Sequence, residues 1–429
     1  MIRKLIISFV CVLANCSTIL FAQNRVDIIT IDGAINPAAS EYLHRELEIA
    51  PENGVHCVII QLDTPGGLVN ATREIAKDIL GSPVPVVVYV APSGARAASA
   101  GTFITMAGNI AAMAPGTNIG AASVVTMGMR SDSMSATMMH KVTNDAVAFI
   151  KSIAEKRGRN VEWAEKAVTE AASVTASEAL KLNVIDLIAP SLDSLLIAID
   201  GKEVETTSGK IKLQTAGAQK LFIEMPLRFK ILDKISDPNI AYILFIIGLY
   251  GLFFELYNPG AIFPGVVGGI CIILAFYAMN TLPVNYAGVL LILLSVILFL
   301  LEIKIPSYGA LTIGGVISFV LGSVMLYESE LPFMKVSWEI IGAVSISTTL
   351  FFVFAVGMGI RAQRRKPAIG REHIPDSFGV ALDDFENGNG QILHEGEIWQ
   401  AFSTDEIHQN DRVRILKVEN LQMTVEKSE

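Results

Sequence analysis

Ser99 stands in a run of small residues, Ser93 to Gly101, reading S-G-A-R-A-A-S-A-G, that follows the apolar stretch Val84 to Val90. A hydroxyl is well placed for nucleophilic attack where a strand turns into a helix. The first helical turn leaves backbone N–H groups unpaired, and these favour the oxyanion that forms on an attacked carbonyl. The pattern predicts a strand ending at Pro92, a turn through Gly94 and a helix starting near Arg96, with Ser99 in its first turn. The same small residues, Ala97 to Gly101, also suit close packing of a helix on a sheet, which is the commoner use of such a run.

A second turn, D-T-P-G-G-L at Asp63 to Leu68, ends the apolar strand Cys57 to Leu62. Strand ends and the loops beyond them are where sites assemble in α/β sheets. Lacking a Cβ, Gly66 and Gly67 let the backbone approach a substrate, so an N–H from one of them and that of Ala100 would form the two halves of an oxyanion hole. A plain type II turn with Pro65 second and Gly66 third accounts for the same residues.

A serine also needs a base. His44 sits on a charged helix, His56 opens a strand, and His140 precedes Lys141 in M-M-H-K-V-T-N-D. A lysine serves where desolvation or the local field leaves its amine neutral, which makes Lys141 the candidate in a Ser-Lys dyad. Helical periodicity argues the other way. Met139, Val142, Ala146, Phe149 and Ile153 form the apolar stripe and Lys141 projects away from it, as a solvated lysine would. A catalytic Lys141 therefore requires a cover, either the stretch Val124 to Ser135 or a neighbouring subunit.

The elements that must hold these groups alternate. Strand-like runs at Val26 to Ile31, Cys57 to Leu62, Val84 to Val90, Ile110 to Met113 and Val184 to Ile188 are separated by amphipathic segments at Ala38 to Ala50, Ala71 to Leu80, Ala136 to Lys156 and Val161 to Ala172. This is the pattern of an α/β domain, here residues 24–200. Residues 201–238 are polar and mixed and are expected to be a linker, with Phe222 to Ile235 approaching the membrane surface as a basic amphipathic segment.

The 429 residues are too many for one ordinary domain, and 52% hydrophobic against 17% charged exceeds the globular balance. Five apolar spans supply the excess, near Ile240 to Leu256, Ile262 to Met279, Ala287 to Leu301, Leu311 to Leu326 and Ile340 to Ile360, so 239–360 is expected to be a transmembrane region. Residues 1–23 read as a secretory signal peptide: Arg3 and Lys4, the apolar run Leu5 to Leu13, and Ala22 as the cleavage residue. A lipoprotein signal ending at Cys16 fits less well because Asn15 occupies a small-residue position. With residues 24–200 exported, five crossings return the chain to the cytoplasm. That agrees with Arg361, Arg364, Arg365, Lys366 and Arg371 after the last span; four crossings would leave them on the wrong face.

Residues 370–429 carry five short strand candidates, enough for a small closed barrel. Such barrels often bind nucleic acid, but this one has Asp383, Asp384, Glu386, Glu395 and Glu397 and few aromatics, and the chain has a net charge of −9. Both argue against nucleic acid. The four cysteines, Cys11, Cys16, Cys57 and Cys271, make no disulfide framework, and no metal-ligand spacing or cofactor motif is visible.

D-T-P-G-G-L, G-A-R-A-A-S-A-G-T, A-A-M-A-P-G-T-N-I-G-A-A at Ala111 to Ala122 and K-V-T-N-D at Lys141 together resemble the long form of the NfeD family of membrane-bound serine proteases. Glu255 to Gly265 resembles that family's membrane-entry segment, and G-E-I-W-Q-A at Gly396 to Ala401 its OB-like terminal domain. The resemblance implies a ClpP/crotonase-like exported domain with Ser99 as nucleophile, Lys141 as general base, and Gly67 and Ala100 N–H groups as the oxyanion hole. It also implies cleavage of hydrophobic segments in stomatin-like or flotillin-like partners at a lipid membrane, without a cofactor or metal, by a chain expected to be a homo-oligomer. Asn183 departs from the glycine that relatives tend to place at a helix end. Two other classes compete. One is a non-catalytic membrane organiser; the other is crotonase-like acyl-CoA chemistry, against which export argues.

Overall fold

The computed structural model describes residues 24–124, 136–257, 260, 262–279, 282–305, 307–327, 329, 334–363, 377–419 and 421–428. The signal segment 1–23, the stretch 125–135 and Arg364, Arg365, Lys366 and Arg371 lie outside them. In chain order the amino-terminal part runs β1 Arg25–Asp32, α1 Pro37–Ile49, β2 Val55–Asp63, α2 Val69–Gly81, β3 Val86–Val90, β4 Arg96–Ala98, α3 Ala100–Ala107, β5 Ile110–Met113 and β6 Asn118–Gly120. It continues through α4 Ala136–Arg157, α5 Val161–Thr169, β7 Ser173–Thr175, α6 Ala176–Lys181, β8 Leu187–Ile188, α7 Leu192–Ile199, β9 Glu203–Thr206, β10 Gly209–Lys212, β11 Gln219–Ile223 and α8 Leu227–Ile235.

Continuous apolar strands are what a parallel sheet covered on both faces requires. The main sheet is parallel throughout, in the order β11-β1-β2-β3-β5-β8. Alternate residues of each strand enter opposite cores: Ile29, Ile31, Ile60, Leu62 and Val88 face one, and Val26, Ile28, Cys57, Ile59, Val87 and Tyr89 the other. A smaller sheet, β4-β6-β7, stands beside it. This is the expected α/β architecture, a parallel sheet with helices on both faces.

Two local readings change. Arg96–Ala98 is a strand paired in parallel with Asn118–Gly120, so the helix begins at Ala100 and Ser99 precedes its first turn. The expected linker is largely structured. β9 and β10 form a hairpin and β11 adds an edge strand beside β1, so the domain continues past residue 200. Asn183 adopts φ +55°, the left-handed conformation that asparagine tolerates after a helix.

Among the described residues five apolar helices follow: α9 Pro238–Tyr257, α10 Ile262–Met279, α11 Tyr286–Lys304, α12 Ala310–Met325 and α13 Trp338–Gln363. Among the described residues Pro238–Leu256 and Ile262–Met279 are long and apolar enough to cross a membrane, and shorter apolar stretches lie in the other three. Gly251 and Gly268 let α9 and α10 touch backbone to backbone, since a Cβ on Gly268 would lie 2.7 Å from the Leu252 nitrogen. Polar bonds cross the bundle as well, Tyr242 Oη to Ser323 Oγ at 2.7 Å and Tyr250 Oη to Thr348 Oγ1 at 3.1 Å.

The amino-terminal domain and most of these helices form one compact unit, and α8 joins them. Phe229 is 2% exposed and lies 6.0 Å from the Tyr42 ring. Asn36 caps α1 by accepting the Ala39 N–H at 2.9 Å, and its amide donates to Asp233 on α8 at 2.8 Å. Asn36→Ala removes both bonds. Loss of the cap alone is worth about 1 kcal/mol, so thermal unfolding in detergent is expected to shift down by about 2–4 °C. An unchanged midpoint would show that neither bond contributes.

The second unit contains β12 Phe378–Ala381, β13 Asn389–His394, β14 Glu397–Phe402, β15 Arg412–Glu419 and β16 Gln422–Lys427, closed into a barrel in the order β12-β13-β14-β16-β15. Alternating inward residues, among them Ala381, Ile392, Ala401, Val413, Ile415, Met423 and Val425, fill it.

Candidate active site

Ser99 occupies the turn between β4 and α3 with φ 49° and ψ −108°, a backbone conformation uncommon for any residue with a Cβ. Such strain persists only where the surroundings over-determine it. Here the Ser99 N–H donates to Gly120 O at 2.9 Å, the Ala98 N–H to Thr64 O at 3.1 Å, and the Thr64 N–H to Arg96 O at 2.8 Å. Thr102, fully buried, donates its hydroxyl to Ala97 O and Gly120 O, each at 3.0 Å, and its N–H to Ser99 O at 3.0 Å. The turn is thereby clamped from three sides while the Ser99 hydroxyl makes no hydrogen bond among the described residues.

The helix behind the serine is held at its far end too. Arg157 Nε donates to Ala107 O at 2.7 Å, and buried Arg159 donates to Met106 O at 2.5 Å and Gly108 O at 3.0 Å. Asp186 orients Arg159 at 2.7 Å and accepts the Ala111 N–H at 2.6 Å. Cations at the carboxyl end complement the helix dipole whose positive end lies at Ser99.

The glycine turn is equally constrained. The Ile35 N–H donates to Gly66 O and the Leu68 N–H to Ile35 O, both at 2.8 Å, so the chain passes against Ile35 with no space for a side chain at Gly67. A Cβ there would sit against the Ile35 carbonyl oxygen and 2.6 Å from its Cα. Among the described residues the Gly67 and Ala100 N–H groups donate to no acceptor. Gly67, Ser99 and Ala100 line one cleft of about 690 Å³. An oxyanion formed beside Ser99 would find two free donors there.

Beyond the serine the cleft is apolar, with Phe103 stacked on Phe149 at 5.9 Å and Val124, Val142 and Ala146 beside them. Arg73 crosses its rim, 4.5 Å above the Phe149 ring and 2.5 Å from Asp145.

Lys141 is exposed on α4 and does not line the cleft. The stripe expected of its helix is present, with Ala146 and Ile153 buried and Val142 and Phe149 facing the cleft. The stretch expected to cover Lys141 falls outside the described residues beyond Val124. None of the three histidines lines the cleft: His44 lies 3.0 Å from Asp78, His56 accepts the Gln214 N–H at 2.9 Å, and His140 is exposed. Burial pushes the His56 imidazole down against the opposing effect of Asp200, and pushes the Cys57 thiol up to about 12, which leaves that cysteine an inert core residue.

Sequence reasoning did not single out Thr64, Thr102 or Arg73. Both threonines act through bonds to backbone distant in sequence. Arg73 is one cation among several on an amphipathic helix, with no local signal of its place above Phe149.

Residues 25–196 match the N-terminal domain of NfeD1b, residues 239–357 the NfeD integral membrane domain, and residues 371–427 the NfeD-like C-terminal, partner-binding domain. The chain is similar to a membrane-bound protease of Pyrococcus horikoshii, 33% identical over 433 residues that cover 99% of this chain and 98% of that protein. It is also similar to the membrane protein NfeD1b of Bacillus subtilis, 27% identical over 434 residues covering 94% and 93%. Among solved structures it is similar to the 1510-N membrane protease from Pyrococcus horikoshii, specific for a stomatin homolog, with 33% identity, a TM-score of 0.44, and coverage of 50% of this chain and 100% of that one.

Proposed function

This chain belongs to the NfeD family of membrane proteins, and from that premise we propose that it is a membrane-bound serine endopeptidase. The observation that carries the reading is the meeting of the strained Ser99, whose hydroxyl has no partner among the described residues, with the N–H groups of Gly67 and Ala100, which donate to no acceptor among them, in one cleft. Ser99 Oγ attacks the peptide carbonyl as Lys141 takes its proton, and the two N–H groups hold the oxyanion. Lys141 then returns the proton to the leaving amine, and water hydrolyses the acyl-enzyme. The exposed position of Lys141 means that its amine must lose water when substrate or a neighbouring subunit engages. No metal or cofactor takes part.

The substrate class is an extended hydrophobic segment of a stomatin-like or flotillin-like membrane protein, which the apolar walls around Phe103 and Phe149 suit. It binds with its backbone added beside the site. The domain is exported behind its signal segment, five crossings place the barrel in the cytoplasm to contact a partner, and the chain works as a homo-oligomer.

Gly67→Ala tests the oxyanion assignment. Displacing one donor is expected to lower kcat by about 10²–10³-fold, with partial destabilisation because the new Cβ meets Ile35. Wild-type kcat in a folded variant would remove Gly67 from the hole.

Exposure of Lys141 also favours a second reading, a non-catalytic organiser of partner membrane proteins. Treating the full-length protein with a fluorophosphonate and mapping the adduct separates the two. The protease gives an adduct on Ser99 and loses peptide cleavage in step with it. Folded protein that neither labels nor cleaves a hydrophobic peptide belongs to the organiser.

A further inference from the structure

We propose that Leu282 and Pro283, in the connection between α10 and α11, form one wall of the substrate cleft, so that the membrane domain supplies specificity-determining residues to the protease site. The inference rests on reading Ser99 as the nucleophile. Both residues line the 690 Å³ cleft together with Gly67, Leu68 and Ser99. Leu282 and Leu68 also line a second cavity of about 390 Å³, bounded by Asn36, Pro65 and Asp233. Both leucines border the two cavities, and Leu68 directly follows the oxyanion glycine Gly67.

The wall is built, not draped. Pro283 is buried and Leu282 half-buried. Val284 bridges Tyr327 in antiparallel fashion, and the Asn285 N–H donates to Leu326 O at 2.9 Å. The Asn285 side chain accepts the Ala287 N–H at 2.9 Å, which starts α11. The connection is thus tied to the end of α12. On the other side α8 packs on α1, α9 and α10, with Phe229 buried against Tyr42. Two separate sets of contacts fix Leu282 relative to Gly67. A peptide lying across Ser99 along Gly67 and Leu68 must pass this apolar surface, which accommodates an aliphatic side chain and excludes a charged one.

The test uses the full-length protein in detergent. Leu282→Ala enlarges the subsite and Leu282→Trp fills it. Across peptides that vary one position at a time, the alanine variant is expected to gain at least fivefold in relative kcat/KM for a bulkier side chain at one position near the scissile bond. The tryptophan variant loses by a similar factor at the same position, and both variants still form the fluorophosphonate adduct on Ser99, which shows the nucleophile intact. A second measurement needs no turnover. In a Ser99→Ala background carrying Leu282→Cys, saturating peptide is expected to slow maleimide labelling of the introduced thiol at least fivefold, read by mass spectrometry. Ile197→Cys on exposed α7 is the insensitive control. Bound peptide, verified by fluorescence anisotropy, with unchanged labelling at position 282 and an unchanged peptide ranking would overturn the wall alone. Absence of both a Ser99 adduct and peptide binding would overturn the protease reading and the wall together.

Discussion

Ser99→Ala is expected to reduce kcat for cleavage of a hydrophobic peptide by about four to six orders of magnitude and to abolish the fluorophosphonate adduct. The fold should survive the change. The hydroxyl has no partner among the described residues, and alanine tolerates φ 49° no worse than serine does. The clamps on the turn are backbone bonds and the Thr102 hydroxyl, none of which the substitution removes. Peptide affinity should stay within a few-fold, because the apolar walls and the Gly67 and Ala100 donors remain. Equal cleavage by wild type and variant would assign any activity to another residue or a contaminant.

Lys141→Ala is expected to lower kcat by about 10²–10⁴-fold, the usual contribution of a general base, with KM little changed. Because Lys141 is exposed and off the apolar stripe of its helix, the variant should unfold at the wild-type temperature. Lys141→Arg should fail as completely, since a guanidinium stays charged and cannot accept the serine proton. This pattern distinguishes a base from a mere positive charge. Retained cleavage in Lys141→Ala would refute the dyad and leave a serine mechanism with a different base.

Much of the amino-terminal fold was legible in sequence because its signals are local. Apolar runs such as Cys57 to Leu62 and Ile110 to Met113 are strands since both faces of each are buried, and the stripe of α4 follows from its period. The misplaced start of α3 has a non-local cause. Arg96–Ala98 is drawn into a strand by Asn118–Gly120, and nothing in S-G-A-R-A-A-S-A-G announces that partner. The same holds for β11, taken for part of a linker, whose pairing with β1 joins segments almost the whole domain apart. At the site, the serine and the glycine turn were legible as turns at the ends of apolar runs, and the structure brings both to one cleft. The clamp by the Thr64 backbone and the Thr102 hydroxyl and the wall at Leu282 were not legible, since they come from residues of ordinary type brought together by the fold.

The α8 strut turns a tether into a ruler. With Phe229 locked on Tyr42 and the following helix capped at Asp237, whose carboxylate accepts the Asn239 N–H at 2.8 Å, there is no slack between the cleft and the helices beneath it. A flexible stalk would let the serine sample many heights above the bilayer. On the proposed membrane placement, this connection would offer one. A peptide bond would then be chosen by how far it emerges from the membrane as much as by its side chains, and lengthening the segment before α9 would move the cut along the substrate instead of abolishing it.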